Sequence, residues 1–450
     1  MLLAAQTDRW DKLLKQFKSN YGHDAQFVSR SPGRVNIIGE HIDYSLYSVL
    51  PMAITADALL AVSTQIDESA STIWTPGSFG VIEKRSMETT SDPRGMEVLM
   101  DGTVPAGGGL SSSAAFTTAS ALAVMFANGE KSVDKTQLTE LAIVSERAVG
   151  VNSGGMDQSA SVFSIRGSAL YVSFNPTLTA KPVHFPKTNP ELTFVIAQSF
   201  VAADKHVTGP PIFMLLSTNL KDPLPSDSGP LGVSLYGFHS RYFVNSTVPL
   251  EEQLSELIDL TKKTFTKEEG YTREEIASVI NLTVPELNER FTSTFPIRAE
   301  HFKLRQRTLH VFTEALRVLK FMKVLEHPES YLNADGGDST ETFNRKLGDL
   351  MNETQTSCRE DFDCSCPELD ELCEIAKKAG SYGSRLTGAG WGGCSVHLVP
   401  ANKVNTVREA WDREYYSKKN LSKEQREAAV VVSKPGSGSA IFVVEGGNVA

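Results

Sequence analysis

The chain has 450 residues, a formal net charge of −10 at pH 7 and five cysteines. Two domains are expected at this length, and the acidic balance leaves no electrostatic footprint for nucleic acid or an anionic membrane surface. No apolar run approaches the roughly 18 residues of a membrane span. The run Leu2–Ala5 is too short for a secretory leader. An odd number of cysteines, all in the last quarter, points to reduced thiols and a cytoplasmic setting.

The first predicted element is a helix over 7–22, where Trp10, Leu13, Leu14 and Phe17 share one face and Gly22 ends it. Phe27–Val28 and Val35–Ile38 read as strands with a Pro32-Gly33 turn between them. Arg34, Asn36, Glu40, His41, Asp43 and Tyr44 crowd into and just past the second strand. A solvated loop is polar too. Charged groups set against the apolar VNII are costly to bury unpaired, however. Carboxylates alternating with donors also suit a polyol, whose hydroxyls each donate and accept. A strand over Ala56–Thr64 follows, and 65–95 reads as irregular.

A short strand over 96–102 runs into PAGGGLSSSAAF. Gly107, Gly108 and Gly109 precede Leu110 and the serines Ser111, Ser112 and Ser113, and the apolar run beyond sets a helix start near Ser111. A Gly/Ser run is by default a flexible turn. Strand, glycine loop and helix start in succession also form the arrangement that cradles phosphate. The loop lacks the Lys-Ser/Thr of a Walker motif and the spacing of the dinucleotide fingerprint. Phosphate charge must then be met by a metal and the helix dipole, which calls for acids elsewhere.

The next helix, 134–150, carries Glu146 near its end. Asp157 then sits just past Gly154-Gly155, as a turn aspartate or N-cap by default, or as an acid that a ligand can approach closely. ALYVSF and LTFVIAQS read as strands, whereas 204–247 is rich in Pro and Gly without a period. Helices are predicted over LEEQLSELIDLTKKTF, TREEIASVI, Phe302–Glu326 and Cys366–Gly380, and strands over Cys394–Val399, AVVVS and AIFVVE. The glycines of SRLTGAGWGG read as tight turns. Cys358, Cys364 and Cys366 fit no common zinc spacing and read as buried thiols.

SPGRVNIIGEHIDY, VPAGGGLSSSAAF and SRLTGAGWGGCSV occur in that order. Together they make the chain resemble the galactokinase branch of the GHMP kinases, from about Ala25 to Val444. CREDFDCSCPELDEL and SYGSRLTGAGWGGCSVHLVP look like fungal members. The resemblance implies an α/β (α+β) fold of two domains with the active site in the cleft between them. It divides the chain into an N-terminal sugar- and nucleotide-binding domain at 1–189 and a C-terminal GHMP kinase domain at 190–450. It implies ATP-dependent phosphorylation of D-galactose at the C1 hydroxyl, giving α-D-galactose 1-phosphate. The alternatives are an N-acetylgalactosamine kinase, or a galactose/ATP sensor that contacts a transcriptional repressor instead of catalysing.

By the same resemblance, Arg34, Glu40, His41, Asp43, Gly154 and Asp157 hold the sugar. Asp157 takes the hydroxyl proton and Arg34 keeps that carboxylate ionised. Gly107, Gly108, Gly109, Leu110, Ser111, Ser112 and Ser113 form the nucleotide loop, Ser112 and Glu146 bind magnesium (Mg2+), and Gly388 and Gly390 line the far side of the cleft. Two features depart from the pattern. A helix with a Tyr-Asn-x-Arg-Val-x-Glu-Cys-like motif is replaced by GPPIFMLLSTNL, where Pro210-Pro211 breaks a helix. The stretch from Thr64 to Met96 is shorter than usual, with Trp74 as a remnant of the helix bordering the adenine. Ser113, Ala114 and Ala115 favour catalysis over sensing; the missing tyrosine motif favours the reverse.

Overall fold

In the computed structural model, which describes residues 2–65, 94–149, 154–201, 224, 226, 227, 229, 232–291, 299–332 and 339–449, the first sheet is built around β1 (Phe27–Ile38). All twelve residues of β1 are buried. Its neighbours are β2 (Leu50–Gln65) and β3 (Gly95–Gly102) on one side, and β10 (Ala440–Glu445) and β11 (Asn448–Val449) on the other. The order is β11-β10-β1-β2-β3 and every pairing is antiparallel. Helices cover both faces, which explains the unbroken burial of β1. Trp10, Leu13, Leu14 and Phe17 of α1 (Leu2–Tyr21) pack on Val28, Leu59 and Ala61. On the other face, α2 (Ser112–Ala127) lays Ala115, Ala119, Ala123 and Ala127 on Phe27, Ala58, Leu60 and Val62. Four alanines one turn apart let that helix lie close to the sheet.

Pro32-Gly33 is not a turn. β1 runs through it, with a register shift between Pro32 and Arg34 against β2. Proline has no N–H to give the ladder, so the strand bulges instead of ending. The bulge presses β1 onto the glycine loop. The Arg34 N–H donates to the Leu110 carbonyl at 3.1 Å, and a Cβ on Gly33 would stand 2.7 Å from the same oxygen. β2 begins at Leu50, ahead of the predicted Ala56.

Beyond α2 come α3 (Lys135–Ala148), α4 (Met156–Phe163) and a hairpin of β4 (Ser168–Ser173) with β5 (Thr179–His184). The second sheet has the order β7-β8-β6-β9, from β6 (Leu192–Gln198), β7 (Gly383–Thr387), β8 (Cys394–Pro400) and β9 (Val430–Ser433). The helices of this half are α5 (Leu235–Tyr242), α6 (Leu250–Thr264), α7 (Arg273–Val279), α8 (Val284–Phe291), α9 (Leu304–Glu326), α10 (Glu329–Leu332), α11 (Glu341–Glu360), α12 (Pro367–Lys378), α13 (Val404–Glu414) and α14 (Lys423–Ala428). Phe312, Val318 and Phe321 of α9 join one core with Ile37, Ile38, Ile42 and Tyr47, so α9 lies behind the end of β1. Cys358, Cys364, Cys373 and Cys394 are buried thiols and Cys366 is half-buried. Among the described residues no helix is long and apolar enough to cross a membrane. Trp74, most of the shortened 64–96 stretch and the Pro210-Pro211 segment lie outside the described residues.

Candidate active site

The bulge in β1 aims Arg34 at the start of α4. Its Nε donates to Asp157 Oδ1 at 2.6 Å and its NH1 to the Gly109 carbonyl at 2.6 Å. Asp157 is the second residue of α4, which follows Gly155 at φ 109°. Its Oδ2 accepts from Ser111 Oγ at 2.6 Å. The Asp157 side chain is 22% exposed against 5% for Arg34. The guanidinium therefore lies behind and the carboxylate faces outward. Ser111 does occupy the N-cap position of α2, but in left-handed backbone (φ 60°, ψ 47°) and with no side-chain cap. Its hydroxyl goes to Asp157 instead, and does not occupy the N–H groups of the first turn of α2.

Behind this loop lies the late glycine stretch. Gly109 has φ 69°, and a Cβ there would stand 2.8 Å from the Thr387 carbonyl. A Cβ on Gly388 would reach 2.1 Å from the Gly109 carbonyl, and one on Gly393 3.0 Å from the Gly108 carbonyl carbon. Two backbones touch here with no room for side chains, so these glycines are needed for close approach and not only for turning. The Leu110 side chain is buried in the core; only its backbone reaches the site.

Asp43 lies beside the Asp157 loop. Its Oδ2 accepts the Gly154 N–H at 3.0 Å, and a Cβ on Gly154 would stand 2.4 Å from the Asp43 carbonyl carbon. Burial, and then the charge of Asp157, pushes the Asp43 carboxyl up to about 6. Glu40 turns into the wall, where its Oε2 accepts from Arg385 NH2 at 2.5 Å and from the Gly388 N–H at 3.0 Å. His41, at φ 59°, stacks on Phe362 with ring centres 4.3 Å apart. Burial, reinforced by His310, drives the His41 imidazole down to about 3, so it is neutral. Its Nε2 then carries the proton it donates to the Ala389 carbonyl at 3.0 Å. Glu146, buried on the last turn of α3, accepts from the Gln158 amide, one residue beyond Asp157.

The structure thus brings Arg34, Gly109, Leu110, Ser111 and Asp157 into one hydrogen-bonded set, with Asp43 and Gly154 adjoining. Glu40 and His41 stand in the wall beside it. Ser112 heads α2 next to Ser111, and Ser113 is exposed. Gly107 has open space around its α-carbon.

The sequence reading passed over a second row of residues, on α9. Glu314 Oε1 accepts from the Gly39 N–H at 2.7 Å and the Glu40 N–H at 3.1 Å. Its Oε2 accepts from Arg317 Nε at 2.7 Å and Thr354 Oγ1 at 2.9 Å. His310 Nε2 lies 2.9 Å from the Glu40 carbonyl. The available signal was spacing: Arg307, His310, Glu314 and Arg317 recur at three and four residues on one side of a helix otherwise rich in apolar residues.

The galactokinase galactose-binding signature matches residues 15–64, the GHMP kinases N terminal domain 79–164, and the GHMP kinases C terminal domain 341–418. A galactokinase of Schizosaccharomyces pombe is 36% identical, with 96% of this chain and 95% of that one covered. One of Saccharomyces cerevisiae is 36% identical, at 97% and 95% coverage. The crystal structure of Lactococcus lactis galactokinase complexed with galactose shares the fold, with a TM-score of 0.59 and 22% identity over 95% of this chain and 98% of that one. Identity of 36% along nearly all of both chains reaches far beyond one shared loop: the chain belongs to the galactokinase family of the GHMP kinases.

Proposed function

We propose that this chain transfers the γ-phosphoryl group of ATP to the C1 hydroxyl of D-galactose, releasing ADP and α-D-galactose 1-phosphate. The carrying observation is the Arg34–Asp157 ion pair, 2.6 Å long and fixed to the glycine loop through Ser111 and Gly109. Phosphoryl transfer is mostly positioning and charge stabilisation. Asp157 accepts the proton of the sugar hydroxyl as that oxygen bonds to the γ-phosphorus. The bond from the γ-phosphorus to the bridging oxygen breaks, and ADP leaves. Arg34 holds the Asp157 carboxylate in place through its Nε donor to Oδ1. The first turn of α2 and its glycine loop receive the phosphates.

Ser112 and Glu146 offer a hydroxyl and a carboxylate, the hard oxygen donors that magnesium takes alongside substrate phosphates. By donor type they suit it, and the Gln158 amide holds Glu146 against the start of α4. A bound magnesium ion supplies neutralisation of the phosphate charge that the lysine-free loop lacks. The sugar and nucleotide determinants fall between Arg34 and Asp157, in keeping with an N-terminal unit of 1–189 and a C-terminal unit of 190–450 whose last strands return to the first sheet. Free thiols fit a reducing cytoplasm.

The test is an ADP-coupled assay with galactose and with N-acetylgalactosamine. Turnover of galactose with the larger kcat/KM is expected; no ADP release above background with galactose would end the proposal.

Asp43 supplies a pH signature. If its ionised carboxylate accepts from sugar hydroxyls, KM for galactose rises by up to about tenfold per pH unit as the pH falls below about 6. Stability changes in the opposite sense. The folded carboxyl binds its proton more tightly than the unfolded one at 3.8. Its contribution to stability is therefore complete below that value and is lost as pH rises through 6. Acid loss of affinity with a flat or rising melting temperature is the expected pair of results. In Asp157→Asn, which removes a neighbouring charge, the KM profile is expected to move to lower pH.

A further inference from the structure

The wall behind the sugar signature comes from elsewhere in the chain. Gly39, Glu40 and His41 link β1 to the turn that carries Asp43, and His41 sits in left-handed backbone at φ 59°. A loop so bent does not satisfy its own N–H groups. Two successive amides, those of Gly39 and Glu40, converge on a single oxygen, Glu314 Oε1. The carbonyl between Glu40 and His41 is taken by His310 Nε2 at 2.9 Å, one helical turn before Glu314. Both side chains are fully buried. A buried carboxylate is retained only where it is fully paired. Here the second oxygen meets Arg317 and Thr354.

We infer that Glu314 is a positioning residue for the sugar site: its carboxylate fixes the backbone of Gly39 and Glu40, and so sets where His41 and Asp43 stand relative to Asp157. The charge state supports this. Burial pushes the Glu314 carboxyl up, but Arg317, His310 and Arg385 outweigh it and hold it down at about 2. Glu314 is thus an acceptor throughout the working pH range. Burial lowers His310 to about 4, against the pull of Glu314, so it stays neutral and gives its Nε2 proton to the carbonyl. Glu314 and His310 direct their hydrogen bonds to the backbone of Gly39 and Glu40 and not to the nucleotide loop. Loss of this clamp should therefore be read in the sugar and not in ATP.

The inference rests on the galactose reading of this loop, and two readouts keep them apart. In Glu314→Gln, the Arg317 side of the clamp loses its charge partner and the two amides compete for one neutral acceptor. KM for galactose is expected to rise roughly tenfold, with KM for ATP and kcat within about twofold. Thr354→Val, which removes a donor to the rear oxygen and a bond to the Leu350 carbonyl but spares the two amides, should raise KM for galactose by less than Glu314→Gln does, with KM for ATP unchanged. A purely structural role predicts a lower melting temperature and less active enzyme with both KM values unchanged, and that outcome overturns the inference. So does a parallel rise of both KM values. Should Glu314→Gln be recovered only as aggregate, His310→Gln, which loses the carbonyl contact, carries the same expected rise. Amide exchange over 39–41, measured without substrate, is expected to be slow in the wild type and at least tenfold faster in the variant. That measurement answers for the clamp even if another sugar proves to be the substrate, whereas absent galactose turnover in the wild type counts against the functional reading alone.

Discussion

Asp157→Asn is expected to cut galactose phosphorylation by about a thousandfold, within the range general-base loss produces, while ATP affinity stays within about twofold. The substitution is chosen for its shape. The asparagine oxygen still accepts from Arg34 Nε, and its amide can donate to Ser111 Oγ, so the contacts that fix the loop survive. What disappears is the capacity to take a proton. Arg34 retains its bond to the Gly109 carbonyl and continues to anchor the glycine loop. Single-turnover kinetics would measure the chemical step, and calorimetry with an ATP analogue would measure nucleotide binding. Turnover within tenfold of wild type would remove Asp157 from the proton-accepting role.

Gly388→Ala should be the second large effect, and it acts through contact alone. The added methyl would lie 2.1 Å from the Gly109 carbonyl oxygen, a backbone atom that cannot swing aside, and φ is already +82°. Either the late glycine stretch or the nucleotide loop must move. Movement of Gly109 displaces the acceptor of Arg34 NH1, and movement of Gly388 withdraws an N–H from Glu40. A loss of about a hundredfold in kcat/KM is expected, with KM raised for both substrates and roughly 1–3 kcal/mol of stability lost. Gly107→Ala is the control. Its φ is a similar 69°, but nothing lies within 4 Å of the new methyl, so only the left-handed backbone cost of about 1–2 kcal/mol remains. Wild-type KM values in Gly388→Ala would show that the two loops do not depend on one another.

The parts of the site legible in the sequence were those with short-range signatures. Gly107 to Ser113 announced a loop before a helix by composition, and Arg34 to Asp43 announced a polar site by placing charges against an apolar strand. Asp157 was visible through its two preceding glycines. Contacts made across large sequence separations were not legible. Nothing local marks Gly388 as the residue that must touch Gly109, and Glu314 looked like the polar side of an amphipathic helix because the residues it serves are 274 and 275 positions away. The misreading of Pro32-Gly33 had a different origin. In isolation that dipeptide signals a turn, but β2 pairs with the strand on both sides of it, and tertiary pairing overrode the local preference. β5 was missed because its sequence, TAKPVH, is mostly exposed and carries no alternating apolar signal.

Phe27 of β1 pairs with Val443 of β10. The ribosome makes β1 (Phe27–Ile38) long before β10 (Ala440–Glu445), so while the intervening residues are made the nascent strand has one bare hydrogen-bonding edge. Such an edge is a template for wrong partners until its own arrives. Completion of the first sheet therefore waits until β10 has been made.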